Sequence, residues 1–572
     1  MIRNVLLAYL VAWTSILLGQ APADIVLSGG KISTADAKNT EVEAIAIIGD
    51  KIAAVGSSAD ILKLRGPETK VIELNGRRVT PGFIESHGHL TGMGEAMLRV
   101  DLSLATSWED VVAKIDNAAR SAPEGEWIVG TGWHQSKWTS PPVDNVEGYP
   151  VTTALDKVSP KHPVIMRHAS GHMIFANSKA MEAAKVDANT KAPPGGEILR
   201  FPDGKPTGAF RETAAGLVDG AFSKWRSARP AAVKQAELFR SLDLATKECL
   251  KRGITTFGDA GNSLSTVSLY KSLIDEGRMP IRLWVMLNES NEVLGRTLEG
   301  AKTLDYGDHR LTVRGIKRMA DGALGTHGAL LLAPYDDQPM KTGLEVQSMA
   351  TIEATARLAA KHDFQLCVHA IGDKANRELL DMFERIHKEL APGKELRWRI
   401  EHAQHLDPAD IPRFGKLGVI ASMQAIHCTS DAPYVVQRLG LRRAQSGAYA
   451  WRSLLDSGAV IANGTDVPVE NVDPIACFYS SVTRRMASGA TFFPEQCMTR
   501  QEALVSYTRG AAYAQFEESN RGSLEVGKLA DLVVLTSDIM TIPEEEVRHA
   551  KVDLTIVGGK VMYERPREDA TR

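Results

Sequence analysis

The stretch TPGFIESHGHL, residues 80–90, decides how the chain is read. Apolar and small residues lead into two histidines one residue apart, His87 and His89. On a β-strand, residues i and i+2 project to the same face. The two imidazoles then point together, and one strand can grip one metal ion. The plainer alternative is a strand end carrying two solvated histidines, and these residues alone do not choose.

Working outward, seven more apolar stretches have the same character. They are GITTFGDAG (253–261), IRLWVMLNE (281–289), VRGIKRMAD (313–321), FQLCVHAIGD (364–373), RWRIEHAQH (397–405), GVIASMQAIH (418–427) and AVIANGTDVP (459–468). Helical patterns follow most of them, with amphipathic segments expected over 352–361 and 374–390. Eight strands with helical connections predict an α/β fold, a (β/α)8 TIM-like barrel over residues 81–518. The gap from about 92 to 230 is too long for a crossover and predicts an insertion after the first barrel strand. It contains GEWIVGTGWHQSKW and HPVIMRHASGHMIFANS. The two chain ends, residues 24–80 and 519–572, alternate apolar with polar residues and break at Gly-Gly and Gly-Asp. They predict one small β domain assembled from both termini.

The chain has 572 residues, 44% of them hydrophobic and 24% charged, which matches an ordinary globular composition. Its formal net charge is -3, and Lys and Arg form no blocks, so neither nucleic acid nor an anionic membrane is indicated as a partner. Residues 1–23 read as a secretory signal, with one Arg, an apolar run over 5–18 and the small-residue site Ala21-Pro22-Ala23. Export to the periplasm or exterior, with cleavage near Ala23, is the expectation; an uncleaved anchor is the alternative. Five scattered cysteines without a CxxC pair argue against a disulfide framework and a thiolate metal site.

In a parallel barrel, the C-terminal ends of all strands face one pocket. Strand one ends in His87 and His89, strand four carries Lys317, strand five His369, strand six His402 and strand eight Asp466. A single histidine in such a place is more often a rim or core residue than a ligand. Four of them with an aspartate at one end of a barrel form a donor set suited to Zn, Mn, Fe or Co rather than to Ca or Mg.

Taken together, these motifs resemble the amidohydrolase superfamily, in its amidohydrolase 3 or YtcJ-like branch, which includes N-substituted formamide deformylases. The similarity spans ADIVLSGGKISTAD, TPGFIESHGHL, GHMIFANS, GIKRMADGALG, VHAIGD, RIEHAQH, GTDVPVENVDP and GSLEVGKLADLVVL, almost the whole chain. The resemblance implies a metal-bearing barrel with a small β-sandwich made by the chain ends. It implies one or two divalent transition-metal ions, zinc foremost. His87, His89 and Asp466 would hold one ion and His369 and His402 the other. Lys317 would bridge them as an N6-carboxylated lysine. An ammonium group is donor-only and repels a metal, whereas the carbamate offers anionic oxygens. The plain alternative for Lys317 is an ion pair with an acid such as Asp321. Asp466 would also serve as general base and then general acid.

His172, Asp321, His427, Trp133 and His134 are weaker candidates for contact with a small-molecule substrate, the last two as parts of a lid. Packing or rim roles are the alternative for each. Three positions depart from the family's usual pattern: Glu85 stands where Asp is commoner, His134 where an acid is commoner, and His327 where Arg is frequent. The expected reaction is hydrolysis of a non-peptide carbon–nitrogen bond, in an N-acyl or N-formyl compound, by metal-activated hydroxide. Ester, lactone or carbamate hydrolysis on the same site is one alternative. A metal-binding regulator with little catalysis is another, though no inferred ligand has been lost. A homodimer is compatible with all of these.

Overall fold

The computed structural model describes residues 21–135, 138–169 and 173–566. The segment read as an export signal falls almost wholly on residues 1–20, outside the described residues. Ala23 itself opens a strand, Ala23–Ser28.

Each of the eight apolar stretches forms a strand, in one sheet and in sequence order. They are β1 (Phe83–Gly88), β2 (Ile254–Asn262), β3 (Arg282–Leu287), β4 (Leu311–Met319), β5 (Gln365–Ala370), β6 (Arg399–His402), β7 (Ile420–Met423) and β8 (Ile461–Asn463). All seven neighbouring pairs are parallel. β8 lies beside β1, and two backbone bonds tie their ends: Asp466 N–H donates to the His87 carbonyl and His89 N–H to the Val467 carbonyl, both at 2.8 Å. The result is a nearly closed barrel, buried on both faces, which is why its strands read as apolar runs rather than as alternations.

The helical expectations hold, with boundaries a few residues wider. α1 (Met349–His362) starts at Ser348, whose hydroxyl accepts from Thr351 N–H and satisfies a free helix-end donor. α2 (Asp373–Leu390) buries Leu379, Phe383 and Ile386 at helical spacing. Each such side chain contributes about 1.5–3 kcal/mol of burial. α3 (Ala425–Leu439) follows β7.

The chain ends build two further sheets. The strand Leu532–Leu535 pairs with Arg78–Pro81, Val533 opposite Thr80, so the C-terminus is woven in immediately before β1. Ile25, Leu27, Ile45, Ile47, Leu532, Val534 and Ile556 form the core there. A buried ion pair, Arg282 to Asp531 at 2.7 Å, joins β3 to this region. All five cysteines are free, four of them buried. Among the described residues no helix is long and apolar enough to cross a membrane.

Leu90–Lys247 forms a second compact unit. Its limits differ from the 92–230 read from sequence because the helix Leu90–Met97 packs on the helix Ala231–Lys251. A side chain at Gly94 would meet the Ser241 carbonyl oxygen at 2.4 Å. A six-stranded mixed sheet, including Ile128–Trp133 and Val164–His168, carries its core.

Candidate metal centre

The strand register sets the height of each side chain. Lys317 on β4 lies level with Cys367 on β5 and Arg399 on β6. His369 and Glu401 lie level one pleat higher, nearer the C-terminal ends. His87 occupies the penultimate position of β1 and His89 follows the strand. Gly88 stands between them because no side chain fits: a Cβ there would meet the Phe257 ring at 2.6 Å. Two candidate ligands need unusual backbone. His402 (φ 76°) and Asp466 (φ 58°) are left-handed non-glycine residues at strand ends. On β6 the alternation aims Arg399 and Glu401 one way, and the left-handed His402 breaks it. Such strain gathers at functional sites.

The side chains converge. His89 Nε2 lies 3.2 Å and His87 Nε2 3.6 Å from Asp466 Oδ1. Lys317 Nζ lies 3.3 Å from His87 Nε2. The His87 and His402 ring centroids are 5.0 Å apart, and those of His369 and His402 4.5 Å. Atoms of His87, His89 and Asp466 fall within 4.8 Å of one another, as do atoms of His402, His427 and Asp466.

Whether these groups suit a cation depends on where their protons sit. His87 Nδ1 meets Glu401 Oε2 at 2.5 Å, His89 Nδ1 meets the Ala260 carbonyl at 2.8 Å and His402 Nδ1 meets Gln424 Oε1 at 2.7 Å. Each partner is an acceptor, so each Nδ1 carries the proton and each Nε2 presents a lone pair. Metal-binding histidines are oriented in this way by an outer acceptor. His369 Nε2 is buried without a hydrogen-bond partner, 3.5 Å from Asp321 Oδ1. Burial pushes His87 down to about 4 and His369 to about 3, and holds His402 well below the ordinary imidazole value. These rings are neutral at neutral pH, the state that ligates. Burial disfavours charge on the Asp466 carboxyl, but the surrounding imidazoles of His89, His87 and His402 hold it well below the usual range. It is a carboxylate. The residues present fit a divalent transition-metal ion.

Burial also lowers Lys317, and among the described residues no carboxylate forms an ion pair with it. The pair with Asp321 does not form. Asp321 is fully buried, and its carboxylate accepts from the backbone N–H groups of Leu330, Ile371 and Gly372 at 2.8–3.0 Å. It ties the loop after β4 to the end of β5 rather than facing the mouth. Trp133 is likewise a core residue and not a lid. It is fully buried, donates from Nε1 to the Met166 carbonyl and stacks on Trp138. His134 lies in the same unit with its ring 4.4 Å from that of His168. His172 lies outside the described residues. His327 pairs with Asp337 at 3.2 Å.

The roles of several outer residues were not legible in the sequence. Arg399 holds Glu401 through Nε–Oε1 at 2.7 Å and overcomes the burial that would otherwise raise that carboxyl. Glu85 accepts from Thr465 N–H at 2.7 Å and from its hydroxyl at 3.0 Å, latching β1 to the turn that carries Asp466. Burial pushes Glu85 up to about 8. The Arg399–x–Glu401 alternation inside an apolar strand was the available signal for a buried charged pair. Gln424 had none.

Comparison with known proteins adds an independent line. A model of the amidohydrolase family matches residues 70–563. The protein LONG AFTER FAR-RED 3 of Arabidopsis thaliana is 34% identical, over 95% of this chain and 92% of its own. The putative amidohydrolase YtcJ of Bacillus subtilis is 31% identical, over 94% and 99%. An N-substituted formamide deformylase of Arthrobacter pascens is 29% identical, over 95% and 98%. Among solved structures, an uncharacterized metal-dependent hydrolase from Pyrococcus furiosus superposes with a TM-score of 0.70 at 27% identity, over 90% of this chain and 100% of its own.

Proposed function

The chain belongs to the amidohydrolase family, and from that premise we propose that it hydrolyses the carbon–nitrogen bond of an N-formyl or N-acyl compound with a divalent metal ion. The observation that carries this reading is the trio His87, His89 and Asp466, with both Nδ1 protons engaged by acceptors and both Nε2 lone pairs turned toward one carboxylate. The similarity to a formamide deformylase supports the substrate class.

His87, His89 and Asp466 would hold one ion, and His369 and His402 a second. A divalent ion bound there supplies Lewis acidity and brings the pKa of a water to about 7. Lys317, with burial disfavouring its charge, would add CO2 through its neutral amine as a carbamate, losing one proton and gaining a carboxylate group whose single negative charge is shared by two oxygens. Asp466 takes the proton from the attacking water and returns it to the leaving nitrogen. A C–O bond forms, the C–N bond breaks, and the products are a carboxylic acid and an amine, which exchange one proton and leave as carboxylate and ammonium. Glu401, Gln424 and the Ala260 carbonyl keep three imidazoles in the ligating tautomer throughout. Export of the enzyme is part of this proposal and rests on the N-terminal sequence alone.

The test is formate release from N-benzylformamide by zinc-loaded protein, with Asp466→Asn as control. Metal-dependent release that falls by about a thousandfold or more in the variant supports the reading. Equal rates in the two proteins would remove Asp466 from the mechanism.

A further inference from the structure

The tautomer pattern that marks His87, His89 and His402 as ligands singles out a fourth histidine as something else. His427 lies in the first turn of α3, buried, with its ring nearly parallel to that of His402 at 6.3 Å between centroids. It belongs to the cluster with His402 and Asp466 whose ligand-type atoms fall within 4.8 Å of one another. Its Nδ1 faces the side-chain amide nitrogen of Gln404 at 3.1 Å. An amide nitrogen only donates, so His427 Nδ1 holds the lone pair and Nε2 carries the proton. That Nε2 is buried without a partner. The other three rings keep a lone pair on Nε2, whereas His427 keeps an N–H there.

We propose that His427 is a catalytic hydrogen-bond donor: its Nε2–H binds the carbonyl oxygen of the amide and holds that oxygen as it gains negative charge. The proposal rests on the hydrolase reading above and deepens it. No proton changes hands at His427; its contribution is a fixed dipole aimed where charge develops, which removal experiments elsewhere value at about 10²–10³ in kcat. A buried N–H without a partner is unfavourable, and a substrate oxygen supplies the missing acceptor. A ring that presents N–H cannot at the same time ligate, so the role also predicts that His427 is dispensable for metal binding. Turning the Gln404 amide over would reverse both statements, so the test reads metal content and ligand affinity separately.

The experiment compares zinc-loaded wild type, His427→Leu and His427→Asn, variants of similar size that differ in having a donor. Metal per chain is measured by mass spectrometry. Affinity for methylphosphonate, whose tetrahedral oxygens stand in for the oxyanion, is measured by titration calorimetry. The expected result is unchanged metal in all three, methylphosphonate binding weakened about ten- to a hundredfold in His427→Leu, and recovery of most of that loss in His427→Asn. Turnover of N-benzylformamide should follow the same order. Metal loss from His427→Leu while wild type stays loaded would make His427 a ligand and overturn the proposal. Unchanged methylphosphonate affinity, or a loaded wild type that does not bind it, would overturn it as well while leaving the hydrolase reading intact. A wild type that takes up no metal would defeat that reading and this proposal together.

Discussion

Gln424 shows how much of the site depends on residues that stand behind the candidate ligands. Its side-chain oxygen is the acceptor that sets the His402 tautomer, at 2.7 Å. Replacing it with Met keeps the volume and removes the acceptor. Gln424→Met should weaken metal binding about ten- to a hundredfold, read by chelator competition, with the fold unchanged; equal affinity would show that His402 is oriented by packing alone. His405 tests burial away from the ligands. It is buried with neither ring nitrogen bonded, and burial pushes it down to about 3. In the unfolded chain it titrates near 6.5, so its neutral form favours folding fully above that pH. The contribution falls as pH drops, by about 1.4 kcal/mol per unit, until about pH 3. Urea midpoints of His405→Phe should therefore decline less steeply than wild type between about pH 6 and pH 4. Parallel slopes would assign the acid sensitivity elsewhere.

At the scale of elements, the ends of the barrel strands were legible because apolar runs terminating in His, Lys or Asp are few, and they recur here in order. The register and the backbone twists were not. His402 and Asp466 reach the site through left-handed backbone that a strand alternation does not foresee. Glu401 acquires its role from His87, far away in sequence, and Arg399 from Glu401. Trp133 and Asp321 were misplaced for the same reason: an aromatic after glycine and an acid after a strand look exposed until their partners, Trp138 and three backbone amides, are known. The close approach at the end of β1 gives a direct test. Gly88→Ala pushes a methyl into the Phe257 ring and Val467, and should cost about 1–3 kcal/mol in thermal or urea unfolding. It should also loosen the metal, because His87 and His89 flank it. A variant with wild-type stability would mean that β1 and β2 can move apart freely.

At the scale of the whole molecule, both chain ends close on the start of β1, and a nearly closed barrel brings five strands' worth of polar groups to one end. That architecture and its family were readable from motifs spread along the chain. The limits of the inserted unit were less so, since they depend on the helix pair that meets at Gly94 and Ser241. On the proposed function, His87, His89, Lys317, His369, His402 and Asp466 converge to hold metal for hydrolysis. The most direct measurement is transition-metal content per chain by inductively coupled plasma mass spectrometry, before and after chelation, alongside formate release from N-benzylformamide. The expected result is one or two ions per chain, lost together with activity and restored together by zinc. A chain that binds none after reconstitution with zinc or manganese and bicarbonate would contradict it.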